Sequence, residues 1–155
     1  MNKFTTVVAM FVIALSQFAW SADSGGSAMP APVVDTEMAN ARALIAKKDW
    51  AAALPVLERY TQAKPGSADG FNLLGYSLRN LKRYDDALVA YKQALKLDPA
   101  HRGAHEYIGV AYIQMGQLAK AKEHLDALDK LCTFSCEEYR DLKKALEATG
   151  KTKSN

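Results

Sequence analysis

Residues 71–99 read FNLLGYSLRNLKRYDDALVAYKQALKLDP, and this stretch decides the fold. Phe71, Leu74, Gly75 and Leu78 recur at i, i+3, i+4 and i+7, the spacing of one buried stripe on a helix. Gly75 within that stripe lets a neighbouring segment approach where a Cβ would collide. A second stripe runs through Tyr84, Ala87, Leu88, Tyr91, Ala94 and Leu95. The short, mostly polar break at Asn80 to Arg83 separates the two stripes. Asp98-Pro99 ends the second helix, because the residue before proline is pushed out of the α region. The stretch predicts one complete helical hairpin.

Working outward, the same residues return at an interval of 34. Leu74-Gly75, Tyr84, Ala87 and Tyr91 are followed by Ile108-Gly109, Leu118, Ala121 and Leu125, and a fainter copy upstream has Trp50, Ala53 and Leu57. That interval is the length of a two-helix repeat, and three such units are the smallest stack expected to be stable. The chain is therefore expected to be all-α, a superhelix of about three hairpins over residues 35–67, 68–101 and 102–135. A capping helix over 136–149, with Tyr139, Leu142 and Leu146 on one side, would close the last apolar face, and 150–155 would form a disordered tail. The first copy departs from the pattern, with Asn40-Ala41 where Leu-Gly is expected. It also holds Pro55 about one and a half turns after the N-cap Asp49, where an interior proline costs about 3 kcal/mol unless accommodated, so a kink is expected.

Phe71, Leu74-Gly75, Tyr84, Ala87, Tyr91, Ala94 and Pro99 resemble nearly every signature position of the tetratricopeptide repeat family. The next copy is similar at Ile108-Gly109, Tyr112, Gly116, Ala121 and Leu125, so the resemblance covers about residues 35–135. It implies a concave groove lined by the first helix of each repeat. The groove residues would be Met38, Arg42 and Ile45, then Asn72, Tyr76 and Arg79, then Glu106, Val110 and Ile113. Tyr and Arg often dominate interface energies, and an Asn amide can hold a peptide backbone. The mixed apolar and polar lining suits an extended peptide or protein segment, so the resemblance implies a non-enzymatic adaptor or scaffold. Chaperone-binding members of the family clamp a C-terminal carboxylate with Lys, Asn and Arg. Gly103 and Glu106 stand where basic residues would be needed for that clamp, so it is not carried over.

Composition agrees with one soluble domain: 155 residues, 49% hydrophobic and 24% charged. The net charge of +3 falls to +2 without Lys3, the one charged residue of 1–21, which is too little for a nucleic-acid footprint. No Gly-rich phosphate loop, nucleophile elbow or H-E-x-x-H is present, and no cofactor is expected. Acidic pairs such as Asp85-Asp86 and Glu137-Glu138 read as helix starts, where they favour the macrodipole.

The two cysteines, Cys132 and Cys136, depend on where the protein resides. Lys3, the apolar run Val7 to Leu15 and the small residues Ala19 and Ser21 read as a signal peptide over 1–21, followed by a flexible linker over 22–34. The apolar run is shorter than the roughly 20 residues needed to span, so membrane contact is expected only during export, and the mature chain is expected in the periplasm. In that oxidising compartment an even cysteine count favours a disulfide. Four residues apart on an unbroken helix, the Cβ atoms would sit about 5 to 6 Å from each other, too far for the bond. Ser135 with Glu138 reads as a capping box that breaks the helix there. The alternative is a periplasmic thiol-redox or metal-handling protein using Cys132 and Cys136, with His101, His105 and His124 as further ligands. His105 occupies the position of Phe71 one repeat earlier and reads as a packing residue, so no metal site is expected.

Export has a direct test. The intact mass of the protein from a periplasmic extract should correspond to a chain beginning within a few residues of Ala22. A full-length mass in the membrane fraction would refute the signal reading.

Overall fold

A computed structural model describes residues 35–152, without the side chains of 151 and 152. The expected signal peptide, the expected linker over 22–34, and residues 153–155 lie outside the described residues. Seven helices follow one another: α1 Thr36–Ala46, α2 Trp50–Ala63, α3 Ala68–Asn80, α4 Tyr84–Leu97, α5 Arg102–Gln114, α6 Leu118–Leu131 and α7 Glu137–Thr152. They form an all-α superhelix of three antiparallel hairpins with α7 packed on α5 and α6. No strand occurs among the described residues.

The 34-residue period is visible atom by atom in the turns. Lys48, Lys82 and Gly116 all take positive φ, at 59°, 61° and 73°. At each one the chain closes with paired reverse hydrogen bonds: Lys48 to Ile45 with Asp49 to Leu44, Lys82 to Arg79 with Arg83 to Leu78, and Gly116 to Ile113 with Gln117 to Tyr112. These bonds satisfy carbonyls that the helix end leaves open. Glycine adopts such a turn freely, whereas lysine does so at a cost of about 1 kcal/mol. The N-termini repeat as well, with Asp35, Asp49, Ser67 and His101 each accepting from an amide three residues on.

The expected stripes form the core. Leu78, Ala87, Leu88, Tyr91, Ile108, Ala111, Tyr112 and Ala121 make one buried cluster, and Ala41, Ala53, Val56 and Leu57 make a second. Leu74 packs against both, so the first hairpin is joined to the second through it. Full burial of a side chain such as Leu57 or Ile108 contributes about 1.5 to 3 kcal/mol. Glycine sets how closely the helices meet. A Cβ on Gly75 would lie 2.6 Å from the ring of Tyr91, one on Gly70 would lie 2.8 Å from the ring of Tyr60, and one on Gly109 would lie 2.5 Å from Leu142.

Helix α2 continues through Pro55. Pro55 and Ala51 are both exposed, so the carbonyl of Ala51, left without the amide four residues on, faces the solvent side. A difference from the expectation lies at α7. The helix begins at Glu137, and the Ser135 hydroxyl makes no hydrogen bond, so the expected capping box is not formed. Glu138 turns instead toward α5, 3.7 Å from Arg102, and the Ser135 carbonyl accepts from Arg140 at 2.9 Å. The helix also passes Ala148 and Gly150 to reach Thr152, three residues beyond the expected end, so the first part of the expected tail is helical. Cys132 and Cys136 are bonded to each other across the break, with Cα atoms 5.6 Å apart.

His105 and His124 join α5 to α6. The His105 Nε2–H donates to the Pro99 carbonyl at 3.1 Å, which leaves Nδ1 to accept from the His124 Nδ1–H at 3.0 Å. Burial, then the proximity of His105 and Lys92, hold His124 down at about 4.

Two measurements test this packing. Replacing Gly75 by Ala should lower unfolding stability by about 1 to 3 kcal/mol, because the buried Tyr91 ring must move. Gly66→Ala, with no atom within 4 Å of the added carbon, should stay within about 0.5 kcal/mol in the same denaturant titration. The depressed His124 pKa means that the unfolded chain takes up its proton first as pH falls. The stability that neutral His124 contributes is complete above about 6.5 and is lost through about 4. The melting temperature should therefore fall more steeply between those values in the native protein than in His124→Gln. Parallel slopes would contradict the assignment.

Candidate functional site

The odd-numbered helices share one face, and its centre is aromatic. Trp50, at the first position of α2, meets Tyr76 of α3 edge-on with centroids 5.4 Å apart. Tyr76 in turn lies 4.7 Å from Tyr107 of α5. The contacts follow from the period, since α3 and α5 start 34 residues apart and run side by side. All three aromatic side chains are only partly buried.

Arg79 is the charged member of this group. Its guanidinium carbon sits 5.2 Å from the Tyr76 ring and 5.8 Å from the Tyr107 ring, within reach of cation–π attraction. Nη1 donates to Gln114 Oε1 at 3.3 Å, and the residue is 9% exposed. Nε has no partner, and no carboxylate among the described residues comes within 4.0 Å of the side chain. Beneath it the Tyr91 hydroxyl is buried, and burial raises its pKa against the opposing influence of Arg79. Burial, then Glu106, push Tyr107 up to about 12.

The N-terminal end of α5 carries the opposite charge. Glu106, Glu137, Glu138 and Asp141 surround a pocket of about 270 Å³ walled by Gly103 and Tyr107. Burial first, then Asp141 and Glu138, push the Glu106 carboxyl up to about 7. Nearby, Asp69 links three helices: Arg42 of α1 approaches it at 3.6 Å, and the Nε2–H of His101 donates to it at 3.1 Å. His101 Nδ1 meanwhile accepts the Ala104 amide at 3.1 Å, so one neutral ring caps α5 and ties it to α3.

Of the nine residues expected to line a groove, the structure brings Tyr76 and Arg79 into one group and leaves Arg42 exposed beside Asp69. Met38, Asn72 and Arg79 are buried, contrary to the expectation that they stand on an exposed side. Each helix face is partly covered by the next repeat. The Asn72 amide packs against Gly103 of α5, 3.3 Å from where a Cβ would be, and its Oδ1 has no partner. That position removes it as an open backbone holder. Ile45 and Ile113 pack half-buried against the two core clusters, Val110 is half-buried, and Glu106 belongs to the acidic pocket. Trp50, Tyr107, Gln114 and Asp141 were not among the expected site residues. Tyr107 leaves one signal, an aromatic side chain standing just off the Ile108-Gly109 stripe.

Other surfaces are less polar. Phe71, Leu74, Leu78 and the 70% exposed Val89 line an open cavity of about 510 Å³ against α4. Leu118, Leu125 and Leu146 line another of about 570 Å³ between α6 and α7.

Two family profiles, both described as tetratricopeptide repeat, match residues 38–91 and 78–146. A peroxisomal targeting signal receptor of Candida albicans is 40% identical over 62 residues, 40% of this chain and 10% of that protein. The chain spans about a tenth of the length of the curated relatives it matches. Among solved structures, a variant of MamA is similar at 27% identity with a TM-score of 0.60, over 68% of this chain and 77% of that one. SycD of Yersinia enterocolitica, a type III secretion translocator chaperone, shares the fold at 19% identity and a TM-score of 0.69, over 77% of this chain and 85% of that one. The two profiles overlap on the second hairpin, and together they span nearly all of the three hairpins and most of α7. The chain belongs to the tetratricopeptide repeat family.

Proposed function

We propose that this protein is a non-enzymatic adaptor of the bacterial cell envelope that binds a peptide or an extended protein segment on the face of α1, α3, α5 and α7. The single observation that carries this reading is the row of Trp50, Tyr76 and Tyr107 around Arg79. Aromatic and arginine side chains supply most of the energy at protein interfaces when they sit at the centre of a patch. Three rings rising from three successive hairpins offer a surface long enough for several residues of an extended chain. The targeting receptor of Candida albicans and the chaperone SycD carry names that denote protein recognition, which supports the same class. The composition of residues 1–21 supports export to the periplasm.

Selection from a displayed random-peptide library on the immobilised protein supplies ligands for the test. Replacing Tyr76 by Ala should weaken their binding by about 1 to 3 kcal/mol, with circular dichroism unchanged. Changes at Lys92 or Lys122, exposed on α4 and α6, should leave affinity intact. Binding that ignores Tyr76 in a folded protein would move the working surface elsewhere.

A further inference from the structure

The repeat register shows where the stack is left open. Leu146 of α7 holds the position of Leu78 in α3 and Tyr112 in α5, and Leu125 of α6 holds that of Tyr91 in α4. Leu78, Tyr112 and Tyr91 are buried, whereas Leu146 and Leu125 are only half-buried. Inside the stack, Leu78 and Tyr91 share one cluster with Ile108, Ala111 and Tyr112 of the following hairpin. Among the described residues no later helix takes that place over α6 and α7, and Leu118, Leu125 and Leu146 line an open groove of about 570 Å³. Its rim carries Lys122, Lys143 and Glu147. Lys122 reaches Asp126 of its own helix at 3.9 Å. Lys143 lies 5.9 Å from the centre of the Tyr139 ring, and neither it nor Glu147 forms an ion pair among the described residues.

We infer that this groove receives α7 of a second copy of the chain, in a two-fold dimer. A two-fold axis passing beside Ala145 sets the two copies of α7 antiparallel, so that residues equally far from the axis face each other. Lys143 stands two residues before Ala145 and Glu147 two residues after it. Each Lys143 then meets Glu147 of the partner subunit, and one helix supplies both halves of two equivalent ion pairs. Leu146 of each copy is covered by the other, which completes the burial its counterparts reach in the inner hairpins. Within a single helix the same two charges gain little, because Lys preceding Glu by four residues is the weaker orientation. The surface is separate from the pocket at α5, which is bordered by Glu137, Glu138 and Asp141 of the same helix. On the adaptor reading, the dimer carries two peptide-binding faces, and avidity rises toward a partner with repeated segments.

Sedimentation equilibrium of the purified protein should give twice the chain mass at about 0.1 mM, with dissociation on dilution. Lys143→Glu sets two carboxylates against each other at both pairs, and Glu147→Lys does the same with two ammonium groups. Each should weaken the dimer about tenfold, with circular dichroism unchanged because both residues are exposed. The double variant Lys143→Glu/Glu147→Lys exchanges the charges and should restore the native affinity, a recovery that a general loss of helix stability would not produce. A monomer at that concentration, a dimer indifferent to both single variants, or a double variant no tighter than the single ones would overturn the placement of α7. A particle larger than a dimer would also overturn it, because a two-fold contact closes on itself. Peptide affinity of the odd-helix face, measured on the same variants, reports separately on the adaptor reading and should stay unchanged.

Discussion

The stack depends on the contact between the Tyr91 ring and the backbone at Gly75. Tyr91 is the largest fully buried side chain, and its ring occupies the volume that a Cβ on Gly75 would claim. That fit sets the distance between α3 and α4, which pack more extensively than any other pair of helices. The same device is repeated with different partners, Tyr60 against Gly70 and Leu142 against Gly109. In the third hairpin the intruding residue comes from α7, so the final helix is a structural member and not an appendage. Interiors at crystalline packing density transmit such constraints, and one misplaced helix displaces the next.

From that spacing follows the character of the odd-helix face. Because α3 and α5 lie side by side in register, residues with no sequence proximity, Tyr76 with Tyr107 and Arg79 with Gln114, become neighbours. The Asp69 link from Arg42 to His101 ties the same helices at their other end. The face consequently carries the Arg79 guanidinium beside Gln114 at the end of α5 and converging carboxylates around Glu106 nearer its start.

The hairpins were legible because helical periodicity and the 34-residue repeat are both one-dimensional signals. The stripe through Leu78, Ala87 and Tyr91 is the core, as its spacing implied. What the sequence hid depends on geometry between repeats. Asn72 and Arg79 sit at positions that face outward on an isolated hairpin, and only the superposition of α5 buries them. The left-handed turns at Lys48 and Lys82 were invisible because lysine is not a turn signal, although Gly116 at the same place in the next repeat marks it. The Ser135 and Glu138 spacing suggested a capping box, but a nearby cation, Arg102, drew the carboxylate away. Local motifs fail where a tertiary partner offers a better contact.

The odd-helix face is the proposed working surface. Amide hydrogen exchange of the purified protein with and without a selected peptide ligand tests it most directly. Added protection is expected in α3 and α5 around Tyr76, Arg79 and Tyr107. A footprint confined to α4 around Val89, with α3 and α5 unchanged, would contradict the account.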